Sequence, residues 1–203
     1  MIVIVDYGVG NLFSVEKALR ATGADAVVTA DEEVLQKAER IVLPGVGAFG
    51  DCMKNFQASG LLPVLKDRVA KGCPLLGICV GMQILFDGSE ESPGVAGLGW
   101  ISGRVRRIAA PGQKIPHMGW NSLHIAKRHA AHDLFAGLND APYVYFVHSY
   151  AAVPEDPTVI TATVEYGSHL VAAIAQGRIM ATQFHPEKSG DVGLAILKNF
   201  VSG

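Results

Sequence analysis

Residues 74–83 read Pro-Leu-Leu-Gly-Ile-Cys-Val-Gly-Met-Gln, so Cys79 is flanked two positions away on each side by Gly77 and Gly81. The segment follows an apolar run and opens onto a stretch with helical spacing. That strand–turn–helix context is the context of a nucleophile elbow. Such a turn strains the backbone of the nucleophile and brings residues two places away too close to carry side chains. A cysteine there meets the free N–H groups and dipole of a helix N-terminus, which favour the thiolate. The Val80 N–H is placed to donate to an oxyanion on a carbon attacked by Cys79. The competing reading is a buried cysteine in a glycine-containing turn. Cys52 and Cys73, which lack these flanks, are expected to be structural.

A nucleophilic cysteine needs a base, and the base needs an orienter. Of seven histidines, His185 stands out, in Gln183-Phe184-His185-Pro186-Glu187 at the end of an apolar strand pattern. A residue before proline favours extended backbone, which sends His185 and Glu187 to one side. Glu187 can then accept from one imidazole nitrogen while the other faces Cys79. Both Cys79 and His185 end predicted strands, where open α/β sheets place their sites. The order cysteine, histidine, glutamate differs from the nucleophile–acid–histidine order of α/β-hydrolases, and no G-x-S-x-G occurs. Gly45-Val46-Gly47 follows the third predicted strand, and Val46 or Gly47 can supply a second oxyanion N–H.

Other motifs fail on spacing. No Lys-Ser/Thr follows Gly50, so the glycine run 45–50 is not a phosphate loop. A dinucleotide fingerprint starting at Gly8 and Gly10 would need its third glycine at Phe13. His124, His129, His132 and Asp133 match no standard zinc spacing, and Lys127-Arg128 would repel a cation; a solvated surface is expected there, with no metal site.

The elements that must hold these residues follow from periodicity. Strands are predicted at 2–5, 26–29, 41–43 and 75–78. They alternate with helices: one capped by Asn11 and carrying Leu12, Val15 and Leu19, one capped by Asp31, one over 48–72 broken near Gly60 to Pro63, and one beginning at 82–86. This alternation implies right-handed crossovers and a parallel sheet covered on both faces. Residues 87–99 read as a polar, glycine-rich loop. Beyond it, strands at 103–108, 121–125, 143–147, 158–165, 170–175 and 178–184 succeed each other without helices, the antiparallel pattern. A helix over 190–201 carries Leu194, Leu197 and Phe200. An α/β fold is therefore expected: a mostly parallel twisted sheet with flanking helices and an antiparallel extension, in a single domain over residues 1–203.

Composition agrees. The 203 residues are 49% hydrophobic and 18% charged, which excludes a disordered chain. A net charge of −2 gives no basic field for nucleic acid or anionic lipid. Three scattered cysteines are no disulfide framework and suit a reducing compartment. The start, Met1 and then Ile2 to Val5 before Asp6, lacks the basic flank and longer apolar run of a signal peptide. The most apolar stretch, 73–86, falls short of the roughly 20 residues of a membrane span. A soluble cytoplasmic protein is expected.

Taken together, these residues resemble the class I glutamine amidotransferases, and among them the glutaminase subunits of imidazole glycerol phosphate synthases. The similarity extends over essentially the whole chain. It is carried by 6–11 (Asp-Tyr-Gly-Val-Gly-Asn), 44–50 (Pro-Gly-Val-Gly-Ala-Phe-Gly), 77–83, 116–121 (Pro-His-Met-Gly-Trp-Asn), 146–150 (Phe-Val-His-Ser-Tyr) and 184–188 (Phe-His-Pro-Glu-Lys). The elbow and His-Pro-Glu are shared by many amidotransferases; 6–11, 116–121 and 146–150 separate this subfamily from the anthranilate and pyridoxal-phosphate synthase glutaminases. The resemblance implies hydrolysis of L-glutamine to glutamate and ammonia through a Cys79 thioester, with no cofactor. It implies delivery of the ammonia to a (β/α)₈-barrel cyclase subunit in a heterodimer, for histidine biosynthesis. It further implies that Gln83, Glu91, His148, Ser149 and Tyr150 hold the amino-acid end of glutamine, and that Asn11, Trp120 and Lys188 lie on the partner-facing side. Val80 and Ala151 depart from the family's frequent leucine and aromatic residues. The alternatives are a glutaminase for another ammonia-using synthase, a stand-alone cysteine hydrolase, and a non-catalytic docking module.

Overall fold

The computed structural model describes residues 1–126 and 133–203. Its first half is built as the alternation requires. Strand β1 (Ile2–Val5) is buried at every position, so its apolar side chains face both layers. Helix α1 (Leu12–Ala21) turns Val15, Ala18 and Leu19 onto the sheet. Strand β2 (Ala26–Thr29), helix α2 (Glu32–Gln36), strand β3 (Arg40–Gly45), helices α3 (Phe49–Ala58) and α4 (Leu62–Ala70), strand β4 (Leu75–Cys79) and the single-turn helix α5 (Val80–Gln83) follow. The second half contains strands β5 (Gly88–Ser89), β6 (Gly103–Arg107), β7 (His117–Ile125), β8 (Tyr143–His148), β9 (Tyr150–Pro154), β10 (Ile160–Glu165), β11 (His169–Gln176) and β12 (Ile179–Thr182), then helix α6 (Gly190–Ser202).

Among the described residues, nine strands form one sheet in the order β2-β1-β3-β4-β12-β11-β10-β7-β8, and β5-β6-β9 form a second, smaller one. Pairing is parallel from β2 to β12 and antiparallel from β12 to β8. The antiparallel extension is thus grafted onto the parallel sheet through β12, directly beside β4. This puts the carboxyl ends of β4 and β12, and so Cys79 and the segment carrying His185, next to each other.

Several expectations need correction. Asn11 occupies the N-cap position of α1 but makes no side-chain capping bond; its backbone (φ −86°, ψ 62°) is not the extended one that aims a cap. Asp31, with ψ 121°, does cap α2 and accepts from the Glu33 N–H at 2.8 Å. Helix α5 begins at Val80 rather than Met82 and ends after one turn. Strand β7 begins at His117 rather than 121, and β12 stops at Thr182. Residues 157–159 form a 3-10 turn ahead of β10, with Asp156 accepting from the Thr158 N–H. Strand β9 has no counterpart among the predicted strands. His129 and His132 lie outside the described residues. No group of three metal-ligating side chains occurs among the described residues, and no helix there is long and apolar enough to cross a membrane.

Candidate active site

The elbow is set by close packing. Cys79 sits at φ 56°, ψ −113°, between the end of β4 and the start of α5. A Cβ on Gly77 would lie 2.8 Å from the Gly81 carbonyl oxygen, and one on Gly81 would collide with the Leu43 carbonyl. Both flanking positions are therefore closed to any side chain, as the turn demands. Cys79 is 5% exposed and lies on the floor of a cleft of about 330 Å³. That cleft is lined by Val46, Gly47, Val80, Gln83, Glu91, residues 147–150, His185 and Lys188.

His185 Nδ1 lies 2.7 Å from Glu187 Oε1, with both side chains almost wholly buried. A carboxylate can only accept, so Nδ1 carries a proton toward Glu187 and Nε2 is the nitrogen not engaged by it. His185 Nε2 makes no hydrogen bond in this resting geometry. Cys79 and His185 nevertheless line the same cleft, and the cysteine favours the charged imidazole. Burial alone would lower the His185 pKa, but interactions with Cys79 and Glu187 outweigh it and raise the value to about 9. Catalytic contacts are often slack before substrate binds. Backbone anchors hold the pair in place: the His185 N–H donates to the Tyr145 carbonyl at 3.0 Å, and its carbonyl accepts from Ser189 Oγ at 2.6 Å. The other two cysteines are buried; burial pushes Cys52 up to about 11 and raises Cys73 as well, so both are poor nucleophiles.

The remaining sequence-predicted residues fall into two groups. Val46, Gly47, Val80, Gln83, Glu91, His148, Ser149, Tyr150 and Lys188 all line the cleft. Gly47 takes φ +85°, which frees the loop to turn over the cysteine. Glu91 Oε2 accepts from the Phe49 N–H at 2.8 Å and so caps α3 from a distance, leaving its second oxygen for the cleft. Asn11 and Trp120 stand outside the cleft. Trp120 is 54% exposed and meets Tyr145 edge-on at 6.2 Å; Lys188 lies over the other reach of the same ring at 5.8 Å. Met118 on β7 and Phe13 on α1 are also exposed large apolar side chains.

Three residues beside the site escaped the sequence reading. Tyr7 donates from its buried hydroxyl to the Pro44 carbonyl at 2.6 Å and so braces the Gly45–Gly47 loop; burial raises its pKa. Gln183 and His117 are polar, fully buried and hydrogen-bonded under the cleft. The one local signal for Gln183 was its place two residues before His185, within the strand predicted over 178–184.

Comparisons with known proteins agree with this architecture. The family described as glutamine amidotransferase class-I matches residues 3–202. The chain is 52% identical to the imidazole glycerol phosphate synthase subunit HisH of Methanothermobacter thermautotrophicus, over 99% of this chain and 98% of that protein. It is 51% identical to the protein of the same name from Geobacter sulfurreducens, over 98% of this chain and 97% of that one. Among solved structures, a glutamine amidotransferase crystal structure superposes with TM-score 0.76 at 22% identity, over 99% of this chain and 100% of that one. The structure of PurLQS from Thermotoga maritima gives 0.70 at 19% identity, with 98% and 96% covered; these two likenesses speak for the fold. The family match over nearly every residue, together with the relatives at half identity, places this chain in the class I glutamine amidotransferase family.

Proposed function

We propose that this protein is the glutaminase subunit of an imidazole glycerol phosphate synthase, with Cys79, His185 and Glu187 as its catalytic triad. The observation that carries the reading is a strained elbow cysteine facing a buried His–Glu pair across a cleft of amino-acid size. It occurs in a chain about half identical to synthase subunits along its whole length.

The geometry supports the following chemistry. L-glutamine enters with its carboxamide over Cys79. With the proton shared by the pair resting on His185, as its raised pKa favours, the Cys79 sulfur attacks the carboxamide carbon. The oxyanion forms between the Val80 N–H and an N–H of Val46 or Gly47. His185 returns the proton to the departing nitrogen, and ammonia leaves. Water, activated by His185, then hydrolyses the thioester to glutamate and restores the thiol. Glu187 keeps the imidazole in the tautomer and orientation that both steps use. At the amino-acid end, Glu91 faces the α-ammonium and the backbone of 148–150 meets the α-carboxylate. Both hydrogens of Gln83 Nε2 are already donated, so its Oε1 is the atom offered to substrate.

The relatives are named as subunits of a synthase, so a partner subunit is expected to take up the ammonia. The proposed partner is the (β/α)₈-barrel cyclase, contacting exposed Trp120 with Asn11 and Lys188, and the exposed apolar side chains Phe13 and Met118. The test is glutamate release from glutamine by the protein alone, with the cyclase, and with the cyclase plus its phosphoribulosyl-formimino carboxamide nucleotide, with Cys79→Ala as the blank. Activation by the loaded cyclase is the expected result. Turnover indifferent to the cyclase would reassign the chain to another synthase, and no turnover in any mixture would leave a docking role.

A further inference from the structure

Under the cleft floor two buried amides face each other: Gln83 of α5 and Gln183 just past β12, 3% and 0% exposed. Gln83 Nε2 donates to the Tyr150 carbonyl at 3.1 Å and to Gln183 Oε1 at 3.0 Å. The carbonyl of Tyr150 can only accept, which fixes the nitrogen of Gln83 on that side. Gln183 Oε1 is thereby an acceptor, and its amide nitrogen must point the opposite way. It lies 3.8 Å from Cys79 Sγ. An N–H aimed at this sulfur favours the anionic form over the thiol.

The Tyr150 carbonyl also ends a second chain of bonds. His148 Nδ1 lies 2.9 Å from it and must carry the proton. His148 Nε2 meets His117 Nδ1 at 3.0 Å, and His117 Nε2 meets Asn121 Nδ2 at 3.3 Å. Burial lowers the pKa of both histidines to about 4, so each is neutral with one donor and one acceptor. One assignment satisfies every contact: Asn121 donates to His117, His117 to His148, and His148 to Tyr150. Asn121 is anchored in turn, donating to the Glu165 carbonyl at 2.9 Å and accepting from the Ser122 N–H at 2.8 Å. The His117 ring is clamped between Phe146 and Tyr166, with centroids 4.6 and 4.0 Å away.

We propose that Gln183 is a further catalytic residue, holding an amide N–H on the Cys79 sulfur, and that its orientation is enforced from β7 through Asn121, His117, His148, the Tyr150 carbonyl and Gln83. His117 is then a positioning residue, acting on the thiol through Gln183. The proposal rests on Cys79 being the nucleophile. It adds to the triad a group that neither moves a proton nor touches glutamine.

The experiment is the pH dependence of Cys79 alkylation by iodoacetamide, located by peptide mass spectrometry, with glutaminase kcat and KM measured on the same proteins. The variants are Gln183→Met, Gln183→Glu, His117→Phe and the double variant Gln183→Met/His117→Phe, each checked for a native melting curve. The titratable and charged groups around Cys79 are His185 with Glu187 beyond β12, Tyr7 beyond β1, Cys52 of α3, and Glu91, His148 and Lys188 in the same cleft; none of them is substituted. Gln183→Met is expected to move the alkylation midpoint up by about one pH unit and lower kcat about tenfold with little change in KM. Gln183→Glu, which sets a negative charge on the sulfur, should move it further. His117→Phe should shift it the same way by less, and should add nothing in the Gln183→Met background. A folded Gln183→Met protein with the parent's alkylation profile would overturn the proposal. A His117→Phe effect that persists in full in the double variant would overturn the relay. Failure of the glutaminase reading shows separately, as no glutamate from the unaltered protein.

Discussion

Cys79 is the one non-glycine residue with positive φ among the described residues, and a conformation of this kind costs about 1–3 kcal/mol. The elbow is held there by backbone packed against backbone, Gly77 on Gly81 and Gly81 on Leu43, so the strain cannot relax by side-chain movement. This predicts an inversion of a usual order of stability. Ala ordinarily outranks Gly because it restricts the unfolded chain. At position 79, Cys79→Gly should be more stable than Cys79→Ala by about 1 kcal/mol in urea unfolding, because only glycine occupies this backbone without strain. The opposite order would mean that the turn is unstrained. Glu187 shows a related tension: its Oε2 is buried without a partner while Oε1 serves His185.

Among the elements, β7 and β8 bring His117 and His148 directly opposite each other, and this pair contributes to the response to mild acid. Both have pKa values lowered to about 4 by burial, against 6.5 in the unfolded chain. Between those limits the unfolded state binds protons that the folded state refuses, so stability falls as pH is lowered from about 6.5 to about 4 and is unaffected by them above that range. His185 has the opposite sign: with its pKa raised to about 9, its contribution is complete below 6.5 and is lost as pH rises through 9. His117→Phe should therefore reduce the acid-side slope of unfolding free energy by about half, measured by urea titrations at stepped pH. The strands of the first half were legible because buried parallel strands are apolar on both faces, as in Ile2–Val5 and Leu75–Cys79. The elbow and the His-Pro-Glu turn were legible because their chemistry is local. The first residues of β7 were not, since Pro116, Gly119 and Trp120 break any alternation, and β9 was masked by its separation from β8 by Ser149 alone. Gln183 was passed over because its meaning lies in Gln83, 100 residues away in the chain.

At the scale of the molecule, the chain leaves the large sheet at His148 and enters the small one at Tyr150, so the cleft lies along the seam between them. Cys79 and the His185 segment belong to the large sheet, while Tyr150 belongs to the small sheet and Glu91 stands just beyond its first strand. Loosening the small sheet should therefore disturb the hold on substrate more than the triad. Val105 is fully buried in β6, paired with Ala152 of β9. Val105→Ala is expected to raise KM for glutamine several-fold, with a smaller fall in kcat passed on through the Tyr150 carbonyl. An equal fall in kcat would show that the two sheets move as one body. On the proposed function the seam divides labour: bond-making falls mainly to one sheet and substrate retention largely to the other. Affinity can then be retuned, by selection or by design, through residues that never approach the sulfur.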